Sequence, residues 1–201
     1  EWLHCTVPGQ AGCIQRPDSI PTYTIAPVPA GGITVDGSLN EWPGDSEWIY
    51  LTDLYYGVTP YDIKEAKMAL RWDGTTNKIY AAVVVDDPDH HFSNTPTYTA
   101  DLLEVYSQGD AAGGTGWGAG GSELFDAAQQ YFVGHNLTSG SWAAWADMSA
   151  IGGSAGFESA VTLDGDSIIY ELGVKQFNNY GGISGGTTEV TNLAEGTTVG
   201  F

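Results

Sequence analysis

Hydrophobic and polar positions along this chain alternate with a period of two, the spacing of a strand with one buried face. From Lys67 to Trp72, Met68, Leu70 and Trp72 fall on one face and Lys67, Ala69 and Arg71 on the other. Lys78 to Val85 is apolar on both faces, which predicts a strand in the middle of a sheet, covered on both sides. Asp101–Tyr106, Gln130–Val133, Ser141–Asp147, Ala155–Leu163 and Ser167–Val174 read as further strands. Asp164-Gly165 between the last two is a hairpin signal. Asp36-Gly37 and Asp73-Gly74 mark other turns. Residues 45–63 are aromatic-rich (Trp48, Tyr50, Tyr55, Tyr56, Tyr61) and show no regular period. No helix and no internal repeat is predicted. Many short strands punctuated by Gly and Asp predict an all-β fold, an antiparallel β-sandwich of the jelly-roll or immunoglobulin-like kind with an extended N-terminal segment.

The division of the chain follows from its prolines. Pro17, Pro21, Pro27 and Pro29 forbid a helix or a central strand across residues 1–32, and Gly31-Gly32 supplies a hinge before the sandwich domain at 33–201. Within the leader, Thr22-Tyr23-Thr24-Ile25-Ala26 and Val28 form an extended, β-prone run. Tyr23 and Ile25 point one way, Thr22 and Thr24 the other. Cys5 and Cys13 flank the turn signal Pro8-Gly9, and no other Cys or His cluster completes a zinc site. A small disulfide loop in an oxidising compartment is the expectation, two free thiols the alternative. The sequence opens on Glu1 without a charged and apolar leader, the pattern of a processed, secreted product. Asn136-Leu137-Thr138 is an N-glycosylation sequon, which would place Asn136 on a surface loop.

Charge narrows the classes of partner. The chain has 25 acidic and 6 basic residues, a net charge of −19. Phosphate backbones and anionic membrane surfaces are repelled by such a surface, so nucleic acid is excluded as a partner. No apolar run approaches the roughly 18 residues of a membrane span. An acidic surface suits a cation-rich exterior, divalent-ion binding or simple solubility.

Several short motifs occur in an order that resembles the family 9 carbohydrate-binding modules and the related DOMON-like sandwich domains. They are Ile33-Thr34-Val35-Asp36-Gly37 with Asn40-Glu41-Trp42, then Ala69-Leu70-Arg71-Trp72-Asp73, then Lys78-Ile79-Tyr80 through Asp86-Asp87. Asp101-Leu102-Leu103-Glu104-Val105, Tyr170-Glu171-Leu172 and Val199-Gly200-Phe201 complete the set, which covers residues 33–201. The resemblance implies a secreted, non-catalytic β-sandwich that binds sugars beside a structural calcium, or is adapted to haem or other partners. Two departures stand out. Thr97-Tyr98-Thr99 occupies the place where family members often carry a Trp, and the family runs on past the Gly-Phe strand.

The densest group of potential ligands is Asp86-Asp87-Pro88-Asp89-His90-His91. Asp86, Asp87 and Asp89 on a strand-end turn offer oxygens to calcium, the cofactor the sequence suggests, and a solvated acidic turn is the plainer alternative. Sugar platforms need flat aromatic faces beside polar groups. Trp117 in the glycine-rich loop 113–121 is the first candidate, with Trp142 and Trp145 next; three apart on a strand, those two face opposite sides. Trp42, Trp48 and Trp72 read as packing residues. Glu104 and Glu171 are a conceivable hydrolase pair, but both lie on expected strands where the family has structural acids. No nucleophile elbow or phosphate loop is present, so an enzyme is not expected.

Two functions compete. The chain stops at the strand-like run Thr197–Phe201 while its N-terminal segment looks unattached, the combination expected of a subunit that donates a strand to the next copy. Thr22–Val28 would be the donor, and a head-to-tail contact of that kind builds an extracellular, pilus-like fibre of identical copies. The alternative is a secreted glycan-binding module.

Overall fold

A computed structural model describes residues 22–51, 63–93, 100–109, 129–135, 142–144, 156–179 and 187–201. The N-terminal run comes first, with strand β1 at Ala26–Pro27. A 3-10 turn at Asp45–Glu47 precedes β2, Ile49–Tyr50. The long strands β3 (Glu65–Asp73) and β4 (Lys78–Asp86) follow, then β5 (Leu102–Ser107), β6 (Gln129–Gly134) and β7 (Trp142–Ala144). Strands β8 (Phe157–Asp164) and β9 (Ser167–Lys175) make a hairpin, and β10 (Phe177–Asn179) pairs with β11 (Glu189–Val190). The described elements are strands apart from that one 3-10 turn. No helix among the described residues is long and apolar enough to cross a membrane.

The main sheet runs β1-β3-β4-β9-β8, with β2 also on β3. Every pairing in it is antiparallel except β1 on β3. The run that is apolar on both faces, β4, lies between β3 and β9, as its pattern requires. A second sheet, β5-β6-β7, packs against the main one. Inner-face side chains Leu70, Ile79, Ala81, Val83, Leu172 and Val174 meet Val105, Tyr131 and Val133 of the second sheet in one core. The Tyr131 and Phe157 rings stack across the interface, 4.6 Å between centroids. Burying each large side chain there contributes about 1.5–3 kcal/mol, and the result is the β-sandwich the sequence predicts.

The outer face of the main sheet is covered by the chain between 28 and 48. Val28, Ile33, Val35, Leu39 and Trp48 pack over Trp42, Ala69, Tyr80 and Ala82. This arm runs without a strand from 28 to 48, so its apolar residues cannot be found by alternation. Three other elements escape the sequence pattern. β2 emerges inside the irregular aromatic stretch, and β10 and β11 are too short to show a period. At the other end, Thr197–Phe201 forms a single bridge, Gly200 to Gln108, rather than a strand.

Candidate functional site

The exposed edge of β3 carries two short strands end to end. β1 pairs with it at Arg71 and Trp72, β2 at Lys67 and Met68. Each is anchored beyond its ladder by a backbone bond, Val28 N–H to the Trp72 carbonyl at 2.9 Å and Leu51 N–H to the Ala66 carbonyl at 2.8 Å. Between them opens a cleft of about 480 Å³. That volume falls within the roughly 300–1,000 Å³ of small-molecule sites. One wall is Tyr23 to Ala26 from the N-terminal segment, the other Ser46 to Tyr50, and Leu70 and Arg71 form the floor.

The lining combines apolar faces with a fixed polar pair. Tyr23 is 55% exposed and Tyr50 51% exposed. Trp48 is half-buried; its indole N–H donates to the Pro43 carbonyl at 3.1 Å, and the Lys67 ammonium lies 5.4 Å from its ring centre. Arg71 is only 8% exposed. Its Nη1 donates to the Leu70 carbonyl at 3.0 Å and its Nη2 to Glu47 Oε2 at 2.9 Å. A guanidinium held at two points is preorganised, and a nearly dry one strengthens its bond to carboxylate.

A second polar centre lies under the arm. Glu171 on β9 is fully buried. Its carboxylate accepts the backbone N–H groups of Asp36 and Gly37, each at 2.8 Å, and the Trp42 indole N–H at 2.7 Å. Burial pushes this carboxyl above the ordinary carboxylate range, and the three donors offset part of that rise. The turn it holds is closed by Gly37, at φ +83°, whose Cβ position would lie 2.4 Å from Thr162 Cγ2. Glu171 therefore ties the arm to the sheet and is unavailable as half of a hydrolase pair. Glu104 is exposed on β5 in the other sheet.

The acidic turn after β4 distributes its carboxylates to different partners. Asp86 lies 3.6 Å from the Lys64 ammonium. Asp87 is buried and accepts the Asp89 N–H at 3.0 Å, while Asp89 is exposed and lies 3.9 Å from His91 Nδ1. Among the described residues no group of three or more His, Cys, Asp or Glu side chains is placed to hold a metal ion. Asp86, Asp87 and Asp89 thus form no such group. Two histidines near this turn shift oppositely. His91 is raised by its bond to the Asp89 carbonyl and then by the Asp89 charge, whereas His135 is lowered by burial and then by His90.

Of the residues proposed for assembly, Ala26 enters β1 in the chain's own sheet, Ile25 packs against the main core and Val28 against the outer cluster. Thr22 and Thr24 are exposed. Trp142 opens β7, an edge strand, opposite Gly134. Trp117, Trp145, Asn136, Cys5 and Cys13 lie outside the described residues. The sequence placed Arg71 on a strand face without its partner Glu47, and its reading of Trp48 as a packing residue agrees with the outer cluster. The available signal was the cluster of aromatics at 45–63, which marked the region without its partners.

No protein-family model matches the chain, and no curated protein matches it in sequence. Among solved structures, its fold is similar to that of family 9 carbohydrate-binding modules. One is the module from Caldicellulosiruptor kristjanssonii in complex with cellotriose, at 16% identity and a TM-score of 0.48 over 76% of this chain and 66% of that one. Another is the family 9 module from the same organism in complex with glucose, at 16% identity and a TM-score of 0.44 over 75% of this chain and 67% of that one. The chain spans about two thirds of the length of the modules it matches.

Proposed function

We propose that this chain is a non-catalytic, extracellular module that binds carbohydrate, with the cleft at the β3 edge as its contact surface. The observation that carries this reading is the cleft's lining: two tyrosines each more than half exposed beside the fixed Arg71–Glu47 pair. Flat aromatic faces stack on the C–H face of a pyranose, and a preorganised donor and acceptor fit its hydroxyls. Because Glu47 neutralises Arg71 and the chain carries a net charge of −19, neutral sugars suit the site better than acidic polysaccharides.

Titration calorimetry with neutral oligosaccharides tests this. Tyr50→Ala and Tyr23→Ala should each weaken binding by at least about tenfold, ~1.4 kcal/mol. Binding that survives both changes but is lost with Trp117→Ala, Trp142→Ala or Trp145→Ala would move the site to the second sheet and its loops.

A second reading is assembly of copies through the N-terminal segment. One observation favours it. Residues 22–28 connect to the domain through Gly31 and Gly32, at φ +112° and +82°, and nothing lies within 4 Å of a Cβ placed on either. The junction is therefore free to take other backbone conformations.

A further inference from the structure

The cleft and the N-terminal segment are one device, because the segment is a wall of the cleft. We infer that residues 22–28 dock on the β3 edge of a second copy of this chain, so that each cleft is completed by a tyrosine from its neighbour. The inference rests on the carbohydrate and assembly readings above and joins them.

The occupant of the edge is already identified, since residues 26–28 sit on it in the single chain. Their hold is a short ladder, one backbone bond and the packing of Val28 on the outer cluster. β1 contributes two ladder positions, both of its residues are exposed, and the strand lies at the rim of the sheet. Ile25 is the segment's anchor in the main core. The connection to the arm is a tight reversal, closed by the Gly32 N–H on the Pro29 carbonyl at 2.9 Å. Pro27 and Pro29 keep the segment extended on its side of the reversal, and beyond it Val35 and Leu39 pack on the sheet.

Opening that reversal breaks one hydrogen bond and rotates two glycines whose Cβ positions meet no atom within 4 Å. Every other contact of residues 22–28 can be remade, unchanged, on an identical copy. That is the condition for exchange of an element between copies, and a short hinge between stiff flanks invites it. Passed reciprocally, the segment gives a closed dimer; passed onward, it gives an open chain of copies. In either form Tyr23 enters the cleft from one copy, while Tyr50, Arg71 and Glu47 come from the other. Ligand bound between the walls then holds the two copies together, and assembly in turn sets the number of complete clefts.

The test is complementation between two full-length variants, Tyr23→Ala and Tyr50→Ala. Both residues are exposed, so the fold is retained, which circular dichroism checks. Each variant alone should lose affinity for cellotriose by about tenfold. The two are mixed in equal amounts, unfolded and refolded together. In reciprocal exchange, about a quarter of the clefts then pair Tyr23 of one chain with Tyr50 of the other and regain native affinity. Recovery of that fraction, with native protein above its 21.3 kDa monomer mass in light scattering, supports the inference. No recovery, while native protein binds cellotriose, overturns it, whatever the mass. Should native protein fail to bind, the carbohydrate reading is what fails, and mass alone decides the exchange. Multimers that become monomers on deleting residues 1–28 then support it, and a native monomer overturns it.

Discussion

The chain before β3 is fastened to the main sheet at two places, and they differ in every respect that governs strength. Residues 36–42 are tied to Glu171, a buried carboxylate on an interior strand, by three N–H donors. Residues 26–28 are tied to the edge strand β3 by a two-residue parallel ladder and one further backbone bond, with β1 itself exposed. Charge-assisted bonds in a dry site are strong and expensive to leave unmade, whereas edge bonds exchange readily with water. The outer arm therefore has the stronger fastening and the segment before it the weaker one.

The comparison is broken most severely at Glu171. Glu171→Gln replaces one accepting oxygen with a donor facing N–H groups, and should cost about 3 kcal/mol in denaturant unfolding. A loss no larger than that of a surface change would mean the arm is held by apolar packing alone. Next come the two turn glycines. Gly37→Ala places a Cβ against Thr162 in a left-handed backbone and should cost at least ~2 kcal/mol. Gly31→Ala meets only open space and should cost about 1 kcal/mol. Equal effects would erase the distinction between the two attachments.

Smaller effects sharpen it. Ile25→Ala removes a half-buried side chain and should cost about 1 kcal/mol. Hydrogen exchange should show the Val28 N–H far less protected than the Gly37 N–H, although both are hydrogen-bonded. Equal protection would place both attachments in one cooperative unit. The least effect on either attachment is expected from titrating the two histidines near the acidic turn. By NMR, His91 should titrate above and His135 below the ordinary value of 6.5. His135, lowered in the fold, contributes stability above that value that is lost as pH falls through its folded pKa. His91, raised, contributes stability below 6.5 that is lost as pH rises through its folded pKa. Both histidines lie near the acidic turn and away from the two attachments, so their titration should leave exchange at Val28 and Gly37 in the same order. A reversal of that order would tie an attachment to the turn.

Local pattern sufficed for much of the sandwich: alternation gave the two faces of Lys67–Trp72, a doubly apolar run gave central β4, and the Asp164-Gly165 turn signal gave the hairpin joining β8 to β9. These signals are local, because a strand's period is written in consecutive residues. The role of Glu171 as a structural acid was legible too, from its place within a strand and a family resemblance rather than from its partners. The place of Thr22–Val28, and the meeting of Tyr23, Glu47, Tyr50 and Arg71 in one cleft, come from the folded sheet. Parallel pairing at a sheet edge has no turn to announce it, and Glu47 and Arg71 meet across 24 positions of sequence. Contacts of that kind depend on which edge remains open after the long strands have paired, a property of the folded sheet that no short stretch of sequence records.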